Sequence, residues 1–582
     1  MTQARHITIL TKEASLGSGI ADSALLIELA PDSPWLLSQK NRPENLIELI
    51  CGRGDLPAAY ALARQLIEAQ PEWEGVKILE VFEEIITEEL LATVRDLRLH
   101  QWLRSAGVTS CDLNQFSDFG GRLGVIQQLT GNSYQLGNKV SEHELSRKLA
   151  RTLRSHGRGV AGLLEVTLRA TRRVFPQWSR YVPANLRGRS SPGPDKTWFY
   201  TTSYNDTSIG LLYEPDSGHE FHYLFEDPGT GGSRLRAAGR TGASLYSFLR
   251  MRDILSLREI ERAKRSVTDS AASVHVPPEH ELTYNVFLRS DRFRYILDRL
   301  LPIAMVQIRA SRRFLEEMNP ELLVVGNAAW ERVLLLQANS RRVPTILLQH
   351  GLVHHTLAVA DQPVGSFLVR GEFFRQQLCP ALRQKSTVLN CASDRIPSPE
   401  RKSDGSIIYL TAPYHQLTGY HPVDLEDILR ALLVSAVETK RPLVIRVHPL
   451  DSVFHYRELV KRLLEQTNLR PEVLYSQGPG LEEALRNSSV AVLHFSTVFL
   501  DCIRLGIPIV SFDWHSFPFK EQYKDQGIFQ FAGDLANLKR LVALGTSGSL
   551  PVKAEIGHFL RPTSSREINN FFSGQSAKRS AC

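Results

Sequence analysis

Three short motifs in the second half of the chain combine side chains that can hold a phosphate or move a proton. They are Gln349-His350-Gly351, Arg446-Val447-His448-Pro449 and Ser496-Thr497. Guanidinium, imidazole and hydroxyl groups all donate hydrogen bonds to anionic oxygens. Imidazole also titrates near neutral pH, so His350 is a candidate general base as well as a phosphate ligand. Gly351 permits a tight turn and close approach of a ligand. Each motif has an ordinary structural reading too. A lone histidine is often a core residue bonded to backbone, and Ser or Thr at a helix start is a common N-cap. The motifs gain weight together because each follows a short apolar run that reads as a strand. In an open parallel sheet, ligands gather at the carboxyl ends of the strands.

Further candidates stand on the same logic. Pro449 cannot continue a strand ladder, so it ends the strand and holds His448 at the lip of the sheet. Arg446 lies two residues earlier and shares a strand face with His448. The loop from Thr411 to His415 brings Tyr414 to a neighbouring strand end. Glu226 and Asp227 end another strand ahead of a glycine-rich turn, where a carboxylate could deprotonate a hydroxyl. The same pair also reads as a polar turn.

The elements that must position these groups alternate between β-rich runs and amphipathic helices, the pattern of βαβ units and parallel sheets. Strands are expected at 46–51, 108–116, 198–202, 221–225, 322–325, 345–348 and 366–369, with helices at 82–106 and 330–341 and a long helical region at about 284–318. The C-terminal part reads more sharply. Strands are expected at 407–410, 442–447, 473–475, 490–495 and 508–512, with helices at 424–438, 456–466, 481–486 and 497–505. That makes five strands of a doubly wound sheet. Residues 1–362 are expected as an N-terminal Rossmann-like, acceptor-side domain, and 363–575 as a C-terminal Rossmann-like domain for a nucleotide donor. A flexible tail follows at 576–582.

Composition narrows the class. A chain of 582 residues with 42% hydrophobic and 23% charged residues fits a soluble protein of two or three domains. No apolar run reaches the roughly 18–20 residues of a membrane span, and the N-terminus lacks a signal-peptide core. The reading is cytoplasmic. None of the six cysteines forms a CxxC pair, so buried free thiols are expected. A net charge of +7 permits an anionic partner without choosing one. The segment 141–189 carries 11 Lys or Arg against three Glu. Arg147, Arg151, Arg154 and Arg158 share one helix face within a basic insertion at about 141–194. Such a helix can lie on an anionic membrane at the inner face of the cell, or simply be solvated. Nucleic acid is not expected, because no aromatic-basic platform is evident.

Taken in order, Gln-His-Gly, Arg-x-His-Pro, Ser-Thr before a helix and Leu505-Gly506-Ile507-Pro508 resemble a known set. It is that of the two-Rossmann-domain (GT-B) glycosyltransferases of bacterial surface and capsular polysaccharide assembly. Similar groups are the capsule β-Kdo transferases, the polysialyltransferases and the CDP-glycerol glycerophosphotransferases. The resemblance covers about 320–515, with a weaker echo at 196–235. His448 stands 98 residues after His350 and 48 before Ser496. The resemblance implies two Rossmann-like domains facing a central cleft. It implies that His448, Ser496 and Thr497 hold the phosphate and ribose side of a cytidine nucleotide. The donor would be CMP-linked, such as Kdo or another nonulosonic acid, and the acceptor a polysaccharide or lipid-linked glycan. Neither metal nor cofactor is expected, since no Asp-x-Asp motif appears. Two departures stand out. Pro228 separates Asp227 from Gly229, where polysialyltransferases have an acidic pair followed directly by glycine. Gln349 replaces the Trp usual in the teichoic-acid enzymes. The base therefore stays open between His350 and the Glu226-Asp227 pair. A CDP-polyol phosphotransferase, a sugar-nucleotide epimerase and a non-catalytic membrane-associated assembly protein remain alternative readings.

Overall fold

The structure is a computed structural model. It describes residues 6–11, 25–30, 33–37, 55–105, 110–114, 118–131, 135–138, 197–201, 222–225, 242–250, 253, 256–326, 328–349, 361–389, 405–411, 422–448, 452–478, 480–493, 496, 498–512, 523, 526–551, 556–561 and 563–580.

In chain order come β1 (His6–Thr11), β2 (Leu25–Ala30), β3 (Ser33–Leu37), the hairpin strands β4 (Glu72–Trp73) and β5 (Val76–Lys77), β6 (Ser110–Asn114) and β7 (Gln135–Asn138). A five-stranded sheet has the order β3-β2-β1-β6-β7 and is parallel except between β2 and β3. The sequence pointed to β6 alone among these. The strand expected at 46–51 and the basic segment 141–189 lie outside the described residues.

The next seven strands are β8 (Thr197–Thr201), β9 (His222–Phe225), β10 (Gly242–Ser244), β11 (Leu322–Val325), β12 (Thr345–Leu348), β13 (Ser366–Val369) and β14 (Ser386–Val388). They form one wholly parallel sheet in the order β10-β9-β8-β11-β12-β13-β14. Every residue of β11, β12 and β13 is buried. Strands covered on both faces read as unbroken apolar runs, which is why these were legible.

The last six are β15 (Ser406–Leu410), β16 (Leu443–Arg446), β17 (Val473–Ser476), β18 (Ser488–Leu493), β19 (Ile509–Phe512) and β20 (Phe529–Ala532). They too are wholly parallel, in the order β17-β16-β15-β18-β19-β20. The sheet thus has six strands, one more than expected. The expected α/β class with two Rossmann-like sheets is what the structure shows, and both large sheets have the doubly wound order.

The expected boundary near 363 falls between β12 and β13, which are hydrogen-bonded neighbours. The seven-stranded sheet therefore runs on past that point. Two compact units divide the chain, one of Arg53–Val94, Val140–Asp394 and Arg561–Cys582, the other of Met1–Gly52, Arg95–Lys139 and Arg395–Leu560. The helix Ser565–Ser580 covers most of the stretch expected as a flexible tail. Its Phe572 is buried with Tyr223, Phe225, Val324, Ile346 and Leu348 of the seven-stranded sheet. Arg561 leads into it, its N–H donating to Arg370 O at 2.9 Å and its guanidinium to Val388 O at 2.8 Å.

Residues 55–94 join this unit through buried ion pairs. Glu83 accepts from Arg64 at 2.8 Å and pairs with Arg332. Arg332 also donates to Glu80 O and Gln362 Oε1, both at 2.7 Å. Glu74, at the left-handed turn between β4 and β5, accepts from Arg309 at 2.9 Å. Burial pushes the Tyr60 hydroxyl up to about 12, and the nearby Glu83 charge adds to the rise. No helix among the described residues is long and apolar enough to cross a membrane.

The long helical region expected at about 284–318 holds three helices, separated by a break and a wide turn. Ser290 ends the helix Pro278–Arg289, and its Oγ caps the next by accepting from Phe293 N–H at 3.1 Å. A wide turn over Ile296–Leu300 follows, in which Leu301 N–H reaches back five residues to Ile296 O. Pro302 has no N–H to donate to Asp298 O, so the regular ladder is broken at that step in any case. The helix Leu301–Met318 then runs on, with Ala304, Met305, Ile308, Ser311, Phe314 and Leu315 among its buried positions.

Helix Leu535–Thr546 packs on the six-stranded sheet so closely that a Cβ on Gly545 would lie 2.6 Å from Val490 Cγ2. A Cβ on Gly557 would meet nothing within 4 Å. Gly545→Ala is therefore expected to lower stability by about 1–3 kcal/mol, while Gly557→Ala stays neutral or slightly stabilising. Urea unfolding of the two variants checks this, and equal midpoints would contradict the packing.

Candidate functional site

The six-stranded sheet begins with β15 at its middle. β16 and β17 are laid down on one side of it, then β18, β19 and β20 on the other. The order therefore reverses between β15 and β18, and such a switch point is where an open α/β sheet takes its ligand.

Four adjacent strands, from the edge strand β17 through β16 and β15 to β18, finish on one line. Leu410 of β15 stands beside Arg446 of β16 and Leu493 of β18, and Arg446 stands beside Ser476 of β17. Thr411, His448, Gln477 and Ser496 all follow that line within three residues. Strands β16 and β18 flank β15, so they run about 10 Å apart.

Along β16, Leu443, Ile445 and Val447 belong to the apolar core on one face. Val444, Arg446 and His448 alternate with them and take the other face. By that alternation Arg446 and His448 fall on one face. Arg446 is buried, and its guanidinium donates to the carbonyl of Gly478 beyond β17. Burial pulls its pKa below the usual guanidinium value, yet it stays a cation. This bond is to backbone, so the group expected as a phosphate donor has a structural job in the rim.

His448 is half-buried. Its N–H donates to Thr411 Oγ1 at 2.8 Å, and its carbonyl accepts from Gln477 Nε2 at 2.9 Å. Thr411 N–H donates to Arg446 O at 3.1 Å, and Val447 N–H to Ser476 O at 2.8 Å. The strand pairing therefore continues past the last residue of each strand. Ser496 is also half-buried. Its Oγ accepts weakly from Val498 N–H at 3.4 Å and its carbonyl from Phe499 N–H at 3.1 Å, at the start of helix Val498–Arg504. Its ordinary capping role is present, and its position at the rim is compatible with a ligand role as well.

Gln349 lies at the carboxyl end of β12. Its Oε1 accepts from Arg370 N–H and its own N–H donates to Leu368 O, both at 2.9 Å. It ties β12 to β13 at the point where His350 begins. His350, Gly351, Glu226, Asp227, Tyr414, Pro449 and Thr497 lie outside the described residues.

Sequence reasoning did not single out Gln477 or Gly478. Gly478 and Gly480 both take the left-handed backbone, with φ of 77° and 84°. The signal was a glycine-rich turn directly after a predicted strand, the same signal that marks Glu226-Asp227. Cys379 and Cys502 are buried free thiols, and burial raises Cys502 well above its usual pKa.

Neither a family model nor a curated protein matches this chain. Among solved structures, a lipopolysaccharide outer core galactosyltransferase, WaaB, is 11% identical, with 66% of this chain and 99% of that one covered and a TM-score of 0.37. The UDP-GlcNAc 2-epimerase of Methanocaldococcus jannaschii, in complex with UDP-GlcNAc and UDP, is 9% identical over 65% and 99%, with a TM-score of 0.41. MurG of Acinetobacter baumannii is 9% identical over 65% and 99%, with a TM-score of 0.37. Likeness at this level does not decide function, which has to rest on the rim residues.

Glu482 braces the helices beside the rim. It pairs with Arg486 at 2.8 Å and with Arg504 at 2.9 Å, linking helix Leu481–Arg486 to helix Val498–Arg504. The bonds from Arg504 and then Arg486 hold its carboxyl below the usual carboxylate range. A depressed folded pKa stabilises above the unfolded value of about 4.3 and is lost as pH falls through the folded one. Because the carboxylate is about half exposed, the effect should be under about 1 kcal/mol. Glu482→Gln is expected to be less stable than wild type at pH 7 and to converge with it near pH 3. A gap that persisted at acid pH would contradict the pairing.

Proposed function

We propose that the carboxyl rim of the six-stranded sheet binds a nucleotide-activated sugar and that the protein is a glycosyltransferase. One observation carries this reading. His448 and Ser496 follow the strands on either side of β15, on one line, next to the point between β15 and β18 where the sheet order reverses. Imidazole and hydroxyl donors flanking that switch point suit the phosphate of a nucleotide. Thr497 and Pro449 complete the two motifs.

In the reaction, an acceptor hydroxyl attacks the anomeric carbon. A C–O bond forms there while the bond to the nucleotide phosphate breaks, and the nucleotide leaves with the electron pair. The hydroxyl proton passes to a base, for which His350 and the Glu226-Asp227 pair are the candidates. Donors fixed at the phosphate stabilise the charge that develops on it. The choice of a CMP-linked nonulosonic acid, and of a surface polysaccharide or glycolipid as acceptor, comes from the motif resemblance.

A thermal-shift panel of CMP, UMP, GMP and AMP tests the donor site. A ligand that binds only the folded state at about 100 times its Kd stabilises it by about 2.7 kcal/mol. CMP is expected to raise Tm most, and His448→Ala to remove the shift. CMP-, CDP-, UDP- and GDP-linked sugars are then offered with and without glycan acceptors. Acceptor-dependent release of the nucleotide supports a transferase. Conversion of the donor without acceptor would favour an epimerase, and no shift with any nucleotide would overturn the donor site itself.

A further inference from the structure

We infer that Thr411, Gln477 and Arg446 are positioning residues that preset His448 for the nucleotide, an inference that rests on the donor-site reading above. Both backbone groups of His448 are held by side chains from neighbouring strand ends. The hydroxyl of Thr411, itself buried, takes its N–H, and the amide of Gln477 takes its carbonyl. These contacts come from β15 on one side and from the end of β17 on the other. Fixing the peptide units before and after a residue fixes the direction of its Cα–Cβ bond. The imidazole is left with its two side-chain torsions, and its ring position is largely set before any ligand arrives.

Arg446 extends the clamp. Its guanidinium holds the carbonyl of Gly478, the residue after Gln477, so it fixes the loop from which the Gln477 amide reaches His448. The backbone of that loop depends on glycine. Gly478 has φ of 77°, and a Cβ there would meet nothing within 4 Å. A substitution at Gly478 therefore acts through backbone strain and not through collision. The same three residues explain why the arginine of the Arg-x-His-Pro motif sits two positions before the histidine. From that position on the same strand face it reaches across to the next loop while the histidine stands at the lip.

The clamp is tested by a double-mutant cycle on nucleotide affinity, with CMP and UDP as probes at concentrations that partly saturate each variant. Thr411→Val removes the hydroxyl with little change of volume. It is expected to weaken binding about three- to tenfold in the wild-type background. In the His448→Ala background the same change should cost about twofold or less, because the residue it positions is gone. Thr411→Ser should restore affinity. The effect of Thr411→Val on Tm should be alike in both backgrounds, which separates positioning from general stability. Gly478→Ala should repeat the pattern if Thr411→Val folds poorly, and Gly478→Asn, which tolerates the left-handed backbone, should recover most of the loss.

Equal losses with and without His448 would overturn the clamp and leave the donor site standing. So would full affinity in Thr411→Val while His448→Ala is weakened. If His448→Ala binds both probes as wild type does, or wild type binds neither, the donor-site reading falls and the clamp with it.

Discussion

A parallel sheet whose strand order reverses leaves one place where successive loops part, and that constraint organises the six-stranded half of this protein. β15 is laid down first and becomes a central strand, paired on both edges. Its neighbours are buried in their turn, and their carboxyl ends are drawn onto one line. Backbone pairing runs on for only a residue or so past that line, and polar side chains there find partners in the rim or in a ligand. Thr411, Arg446 and Gln477 turn to backbone groups of the rim. Thr411 and Gln477 hold the backbone of His448, and Arg446 holds Gly478.

The core below the rim supplies the rigidity this needs. Leu443, Ile445 and Val447 pack on one face of β16 with Ile407, Tyr409, Val490 and Val492. Sliding β16 by one residue would exchange the two faces, placing Arg446 and His448 where Ile445 and Val447 now pack. The register that fills the core is thus the register that presents the histidine. In the other unit the order also reverses, between β8 and β11, and Gln349 ties the end of β12 to β13. There the buried polar contacts serve mainly to dock residues 55–94, through Glu83 between Arg64 and Arg332 and through Glu74 on Arg309.

The strands easiest to read in the sequence were those buried on both faces. β11, β12, β13 and β18 are unbroken apolar or small-residue runs, and each was placed within a few residues. The edge strands were harder. β14, β10 and β20 were not read, because Ser-Thr-Val, Gly-Ala-Ser and Phe-Gln-Phe-Ala carry polar or small residues where one edge is unpaired. The three-way division at 284–318 was hidden because Ser290 and Pro302 sit in an otherwise helical pattern. The return of the C-terminal helix to the seven-stranded sheet was not legible at all. It depends on Phe572 meeting residues hundreds of positions away, and local periodicity carries no trace of that. At the candidate site, the shared face of Arg446 and His448 was legible from alternation. The partner of Arg446 was not, since a guanidinium suits a phosphate and a backbone carbonyl equally well.

The central claim is that a nucleotide enters at the rim of the six-stranded sheet, over β15, β16 and β18. Amide hydrogen exchange with and without saturating CMP tests it most directly. Exchange is expected to slow in peptides spanning Thr411, Arg446–His448 and Ser496, with β11 and β12 of the other sheet unchanged. Protection confined to the seven-stranded sheet, or absent from both rims, would contradict the claim.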